Sequence, residues 1–255
     1  MYDIVCPSEV YTLSPKRAIS EFLDANESAW PTVLSWVMSA TNQVEILPPH
    51  EDQKAQALVD TQVTTRSPMG AIIYHTGGLL VDNGWLRFLG SGHPKLPRSM
   101  PAWNQGRSST PDGKSLGFWL IADDVVGGFF AVNGGAFGPS EGHIFYFSPE
   151  TLRWESMNGM GYSEFLVWSL GSDLAKFYEA SRWKGWKDEV SALSGDQAFS
   201  FYPFLWTEEG KDIEKCDRKP IPISEVFSIN TIESPNLLRS ELASGGFSFR
   251  VKVSK

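Results

Sequence analysis

The stretch 118–147 constrains the fold more than any other part of the chain. Two apolar runs, Phe118-Trp119-Leu120-Ile121-Ala122 and Phe129-Phe130-Ala131-Val132, flank Asp123-Asp124 and Gly127-Gly128. A third, His143-Ile144-Phe145-Tyr146-Phe147, follows the loop Asn133-Gly134-Gly135-Ala136-Phe137-Gly138-Pro139. Aromatic and β-branched runs punctuated by Gly, Asn and Asp predict antiparallel strands joined by tight turns. Runs this continuously apolar predict strands buried on both faces. With 255 residues, 42% of them hydrophobic, the chain can bury such a sheet without disulfides or a structural metal.

The segments around this meander supply the rest of an α+β fold. Residues 1–66 read as helical. Ser14-Pro15 opens a helix to about Asn26 with Ala18, Ile19, Phe22 and Leu23 on one face, and Trp30-Pro31 opens a second whose stripe is Trp30, Val33, Leu34, Val37 and Met38. A weaker third helix fits 51–63. The central sheet is expected over 70–156, beginning with the β-type runs Ala71-Ile72-Ile73-Tyr74 and Leu79-Leu80-Val81. Asp82-Asn83-Gly84 then predicts a hairpin turn, because Asn and Gly tolerate positive φ, with Trp85, Arg87 and Leu89 sharing one face of the return strand. Prolines at 94, 97, 101 and 111 predict a long irregular surface loop over 90–113, pinned by Trp103. Leu152-Ser156 reads as a further strand, and helices are expected within 160–190, over 163–170 and over 172–186 with Ser172 as N-cap. Residues 199–255 read as an extended segment: short strands at 199–205 and 221–229, and a terminal one-sided strand in which Phe247, Phe249, Val251 and Val253 alternate with polar residues. The whole is read as a single α+β domain of 1–255, a central, mainly antiparallel sheet with helices packed around it.

Composition narrows the function. The net charge of −8 opposes a nucleic-acid role, since phosphates would be repelled overall. Cys6 and Cys216 have no C-x-x-C spacing, which excludes a zinc ribbon or thioredoxin motif and suits a reducing cytoplasm. No basic-flanked leader and no long apolar run occurs, so a cytoplasmic protein without membrane contact is expected. The glycine-rich segments lack G-x-G-x-x-G spacing, and neither G-x-S-x-G nor H-E-x-x-H is present, so no cofactor is expected. His50, His75, His93 and His143 are scattered singly, so no metal site is expected.

Three phrases carry a family resemblance: Gly77-Gly78-Leu79-Leu80-Val81-Asp82-Asn83-Gly84-Trp85-Leu86-Arg87-Phe88-Leu89-Gly90-Ser91-Gly92, the stretch Ile121-Ala122-Asp123-Asp124 through Asn133-Gly134-Gly135, and Arg182-Trp183-Lys184-Gly185-Trp186. Over residues 30–226 the chain resembles the bacterial family called domain of unknown function 2625, which brings no assigned activity. More distantly, the glycine-tryptophan strand, the apolar strand ending Ile121-Ala122, the Gly127-Gly128 turn, a strand opening at Gly142 and a helix holding Phe165-Leu166 are similar to the SUKH superfamily. That resemblance implies an α+β immunity protein that neutralises a toxin by direct binding, with no shared catalytic residues.

Three functional readings follow. The favoured one is non-catalytic binding of another protein, such as a basic toxin, through Trp85, Arg87, Trp103, Arg182 and Trp186, because Trp and Arg are enriched at binding hot spots. The enzymatic alternative is a hydrolase, or a glycan- or small-ligand-binding protein, with Asp123, Asp124, Glu141 and His143 gathered in one carboxylate-lined pocket. The ordinary reading of Asp123 and Asp124 is a turn whose carboxylates accept backbone amides, and that of Arg182, Lys184 and Lys187 is a cationic helix C-terminus. The third is a homo-oligomer built on the C-terminal strand 247–253.

Overall fold

The computed structural model describes residues 18–24, 27–110 and 112–236. Seven strands form one antiparallel sheet in which chain order and spatial order coincide: β1 (Val44–Leu47), β2 (Gly78–Val81), β3 (Leu86–Leu89), β4 (Phe118–Asp124), β5 (Phe129–Asn133), β6 (Ile144–Ser148) and β7 (Arg153–Ser156). The expected meander is its β4–β6 centre. β2–β3 and β4 through β7 pair across short connections, whereas two α-helices lie between β1 and β2, and one between β3 and β4. At the β2–β3 turn Asp82, Asn83 and Gly84 all adopt positive φ, 51°, 60° and 83°. A second, two-stranded sheet pairs β8 (Gln197–Tyr202) with β9 (Asp217–Pro222).

Side-chain alternation gives the large sheet two differently covered faces. Leu86, Phe88, Phe130 and Tyr146 point one way. There Phe165 of α5 (Tyr162–Leu170) meets Phe88 and Phe130 with ring centroids 5.3 and 4.7 Å apart. α1 (Trp30–Met38) and α3 (Pro68–His75) pack beside α5 in the same layer, and α2 (Lys54–Thr61) packs on α3. Arg87, Asp123 and Phe129 point the other way. Trp103 of the short helix α4 (Met100–Asn104) and Phe227 of α8 (Ile223–Ser228) cover Phe129, with centroids 6.4 and 4.9 Å from its ring.

Several expectations are corrected. Ala71-Ile72-Ile73-Tyr74 is helical, not β, because Ser67 Oγ accepts from Gly70 N at 3.1 Å and Pro68 fits the first turn, so the start signal outweighs β-branched propensity. β1 lies in a stretch for which the sequence suggested no strand. Within the described part of the helix expected from Ser14 to about Asn26, only a 3-10 turn Ile19–Glu21 forms, because Phe22 O and Asp24 N bond instead to Thr65 N and Thr65 Oγ1 at 2.9 Å each. Met38, expected inward on α1, is 80% exposed. The long loop contains α4, capped by Ser99, and buries Leu96, Arg98, Met100 and Trp103. The helix expected over 172–186 breaks into α6 (Asp173–Phe177) and a 3-10 turn Glu179–Ser181, and α7 (Trp186–Ser191) starts anew at Gly185, φ 83°. Ser172 precedes α6 but makes no side-chain capping bond. Ile221–Ile229 is not a strand: β9 ends at Pro222 and α8 follows. The terminal strand expected at 247–253 lies outside the described residues, as do Ser14-Pro15 and Cys6.

At Gly128 sterics leave no room for a side chain. A Cβ on Gly128 would lie 2.3 Å from both the Asp124 carboxylate and the Tyr146 hydroxyl. Gly128→Ala should therefore destabilise the protein by about 1–3 kcal/mol through overpacking, measured by urea unfolding.

Candidate functional site

The two adjacent aspartates at the end of β4 leave opposite faces of the sheet, as strand alternation requires. Asp123 is fully buried and cross-strand from Arg87. Its Oδ1 lies 2.5 Å from an Arg87 terminal nitrogen and its Oδ2 accepts from Arg98 at 2.6 Å, with those arginines 2% and 8% exposed. Arg87 also donates to the main-chain carbonyls of Gln197 and Asp124, and Arg98 to that of Gly195. Arg98 Nε faces Asp196 Oδ1 at 3.2 Å. Above this cluster Arg98 and Arg107 both lie over the Trp103 ring, 4.5 and 3.8 Å from its centroid.

Asp124 is buried in a different knot. Oδ1 accepts from Val126 N at 3.0 Å and Gly128 N at 2.7 Å, which is the turn chemistry the sequence suggested. Oδ2 accepts from the hydroxyls of Tyr146 and Tyr178, at 3.0 and 2.8 Å. Desolvation is the largest influence on this carboxyl and pushes its pKa up in spite of the four donors. Burial likewise raises the pKa of both tyrosines, with the Asp124 charge adding to it.

Glu141 and His143 do not join either aspartate. They sit in the β5–β6 connection, where His143 O accepts from Asn133 N, and Asn133 is paired with Phe118 at the start of β4. Five residues of strand then separate them from Asp123, a span of roughly 17 Å. Glu141 is exposed and His143 half-buried beside Gly159. Nor do the other histidines converge. His75 stacks on Trp30 at 5.1 Å and burial lowers its pKa, His93 Nδ1 accepts from Lys95 N, and His50 is exposed. Among the described residues no three His, Cys, Asp or Glu side chains lie close enough to hold a metal ion.

The residues picked out for binding have separate surroundings. Trp85 is completely buried against Tyr178, Trp183 and Trp186, at centroid distances of 5.4, 5.6 and 5.0 Å. Arg182 bonds Asp82 at 2.5 Å and lies over Trp85 and Trp186 at 5.1 and 4.4 Å. The structure thus gathers Trp85, Arg182 and Trp186, holds Arg87 in the ion cluster, and places Trp103 beyond it. Arg182 follows a 3-10 turn and Trp186 opens a helix, so the segment is not the cationic helix C-terminus expected; its arginine is held by Asp82 and indole faces.

Two open features went unrecognised in the sequence. On the arginine face a cleft of about 390 Å³ lies between β1–β3, the turn at Pro94-Lys95 and the end of α7, with Arg87 among its lining residues. On the helical face an open groove of about 860 Å³ is lined by Trp36, Met160, Val167 and Trp168, with Glu164 and Asp173 beside them. Val167 is 46% exposed, and Phe177, 39% exposed, meets Trp168 edge-on at 5.3 Å. The helical stripe of α5 gave Phe165, Leu166 and Leu170 as inward; the apolar residues left over, Val167 and Trp168, were the available signal for the groove.

These features define an α+β protein in which the neighbouring acids at 123–124 are held in two separate hydrogen-bonded clusters, apart from Glu141 and His143. The chain belongs to the family described as protein of unknown function DUF2625, whose model matches residues 19–226. It is 46% identical over 213 residues to the putative uncharacterized protein YbfG of Escherichia coli strain K12, covering 84% of this chain and 95% of that one. It is 38% identical over 217 residues to an uncharacterized protein of Haemophilus influenzae, covering 85% and 95%. No solved structure matches it significantly. Among the described residues no helix is long and apolar enough to cross a membrane.

The two aspartates should respond differently to amidation. Asp123→Asn leaves two buried guanidiniums without their shared counter-charge and should cost about 3–5 kcal/mol in denaturant unfolding. Asp124→Asn retains an acceptor for Val126 N and Gly128 N and offers donors to two hydroxyls that can reverse, so its cost should be smaller, about 1 kcal/mol. A carboxyl whose folded pKa is raised gives stability that is fully present below its unfolded pKa and is lost as pH rises through the folded one. The stability difference should therefore move in favour of Asp124→Asn as pH rises from about 4, read from parallel urea titrations across that range.

Proposed function

We propose that this protein binds another protein without catalysing a reaction on it, and that the groove between α1 and α5 is the contact surface. The observation that carries this reading is the groove itself. Trp36, Met160 and Trp168, each partly buried against the core, line the groove together with Val167, which is 46% exposed. Apolar patches edged by polar residues are typical of docking sites. The available carboxylates argue against the enzymatic alternative, because Asp123 is held by two arginines and Asp124 by four donors, away from Glu141 and His143.

Glu164 and Asp173 beside the groove, and the chain's net charge of −8, favour a partner segment with apolar side chains flanked by Lys or Arg. Neutralisation of a basic toxin such as a nuclease is one form of this reading. Its support is the similarity of the glycine-tryptophan phrases to the SUKH superfamily and the acidic surplus.

The test compares tagged wild type with Val167→Glu in capture from native extract at low and moderate salt, followed by affinity measurement on the purified partner. A single stoichiometric partner is expected, with affinity lowered at least about tenfold by Val167→Glu and association slowed by salt. Circular dichroism should be unchanged, since the substituted side chain is half exposed. A partner held equally well by Val167→Glu would rule out the groove, and recovery of the protein alone would overturn the binding reading.

A further inference from the structure

The cleft on the arginine face lies across the sheet from the groove and differs from it chemically. Its floor is Leu80 and Arg87, cross-strand neighbours on β2 and β3. Val190, Leu193, Lys95 and the exposed Ser191 also line it. At about 390 Å³ it falls in the lower part of the small-molecule range, about 300–1,000 Å³. Arg87 is 2% exposed, and its Nε–H has no hydrogen-bond partner even though its terminal nitrogens are engaged. That nitrogen is buried from solvent, so what Arg87 brings to the cleft is its charge beneath the lining rather than an open donor.

The surrounding charge has a sign. Arg87 and Arg98 share the Asp123 carboxylate, Arg98 also faces Asp196, and Arg107 lies with Arg98 over the Trp103 ring, so among these residues arginines outnumber the acids that pair with them. Burial lowers the pKa of both Arg87 and Arg107; the charge of Arg98 lowers both further, opposed at Arg87 by the larger pull of Asp123. The nearest carboxylate on the rim, Glu45, is already 2.5 Å from Lys95 Nζ.

We propose that this cleft binds a small organic anion, a carboxylate on a short hydrocarbon, with Arg87 and Lys95 facing the acid and Leu80, Val190 and Leu193 holding the hydrocarbon. This differs from the carboxylate-lined pocket considered from the sequence: the lining cations would select an acid, and no reaction is implied. Lys95 is 60% exposed and its pair with Glu45 is a surface one, so turning it onto a ligand costs little.

The experiment uses the full chain and measures thermal shift and calorimetric affinity for propionate, butyrate, pentanoate and hexanoate against their primary amides. At least one acid should raise the Tm and bind at least about tenfold more tightly than its amide. Because Arg87 substitutions risk unfolding the ion cluster, the site is tested with Ser191→Trp, which plugs the mouth from an exposed position, and with Lys95→Ala. Ser191→Trp should abolish acid binding without changing the Tm of the unliganded protein, and Lys95→Ala should weaken it about tenfold. Val167→Glu, on the other face, should bind the acids as wild type does. Amides that match the acids, binding that survives Ser191→Trp, or the absence of any acid-induced shift would overturn the proposal.

Discussion

The buried carboxylate of Asp123 is the contact on which the assembly of this fold turns. An unpaired carboxylate in a dry interior costs several kcal/mol, so a chain that places one there must deliver cations to it. Arg87 comes from the adjacent strand and Arg98 from the far end of the loop leading into α4. The same two guanidiniums also donate to the carbonyls of Gly195 and Gln197, at the start of β8. One acid therefore ties together the strand pair β3–β4, a loop that sequence composition suggested would be irregular, and the start of the second sheet. Hydrophobic burial supplies most of the driving force, but it is non-directional. The ion cluster has a direction, and it fixes which segment lies over which face.

Strand alternation explains why two neighbouring aspartates never act as a pair. A catalytic carboxylate pair needs both groups on one side of a cleft or facing each other across it, whereas consecutive strand residues point apart. Asp123 enters the arginine layer and Asp124 the tyrosine layer beneath α5 and α6. Each carboxylate is then satisfied by its own set of donors. The Gly128 position closes the second set, since its missing Cβ is the space that the Asp124 carboxylate and Tyr146 hydroxyl occupy.

The meander was legible because strand, turn and strand signals alternate within a few residues, and local pairing leaves little choice of partner. α1 and α5 were legible for a similar reason: each has a periodic apolar stripe. The failures occur where a local signal competed with context. The β-branched pair Ile72-Ile73 was outweighed by the Ser67-Pro68 helix start, and the helix expected over 172–186 stops at Phe177, with the backbone extended at Arg182 after a 3-10 turn. The turn role of Asp124 was readable from its neighbours in sequence, while the ion cluster was not. Arg98 lies 25 residues from Asp123, and no periodicity connects a loop arginine to a strand acid. The cleft was hidden for the same reason, since its walls come from β1, β2, β3, the turn at Lys95 and α7, five segments brought together only by folding.

The division of charge between interior and surface gives the two open features opposite preferences. The chain as a whole carries −8, yet the layer beneath the cleft concentrates arginine. Charge in water is screened within about 8–10 Å at ordinary salt, so the acidic exterior acts on an approaching macromolecule mainly through the residues at its contact. Buried charge is screened far less, and a small anion entering the cleft would meet Arg87 through low-dielectric material. On the readings proposed above, the groove takes a large basic partner and the cleft a small acid. Because they occupy opposite faces of one sheet, occupation of one leaves the other sterically free. Any energetic coupling between them would have to pass through the strands that carry Leu80, Arg87 and Phe88, the last of which touches α5 through Phe165.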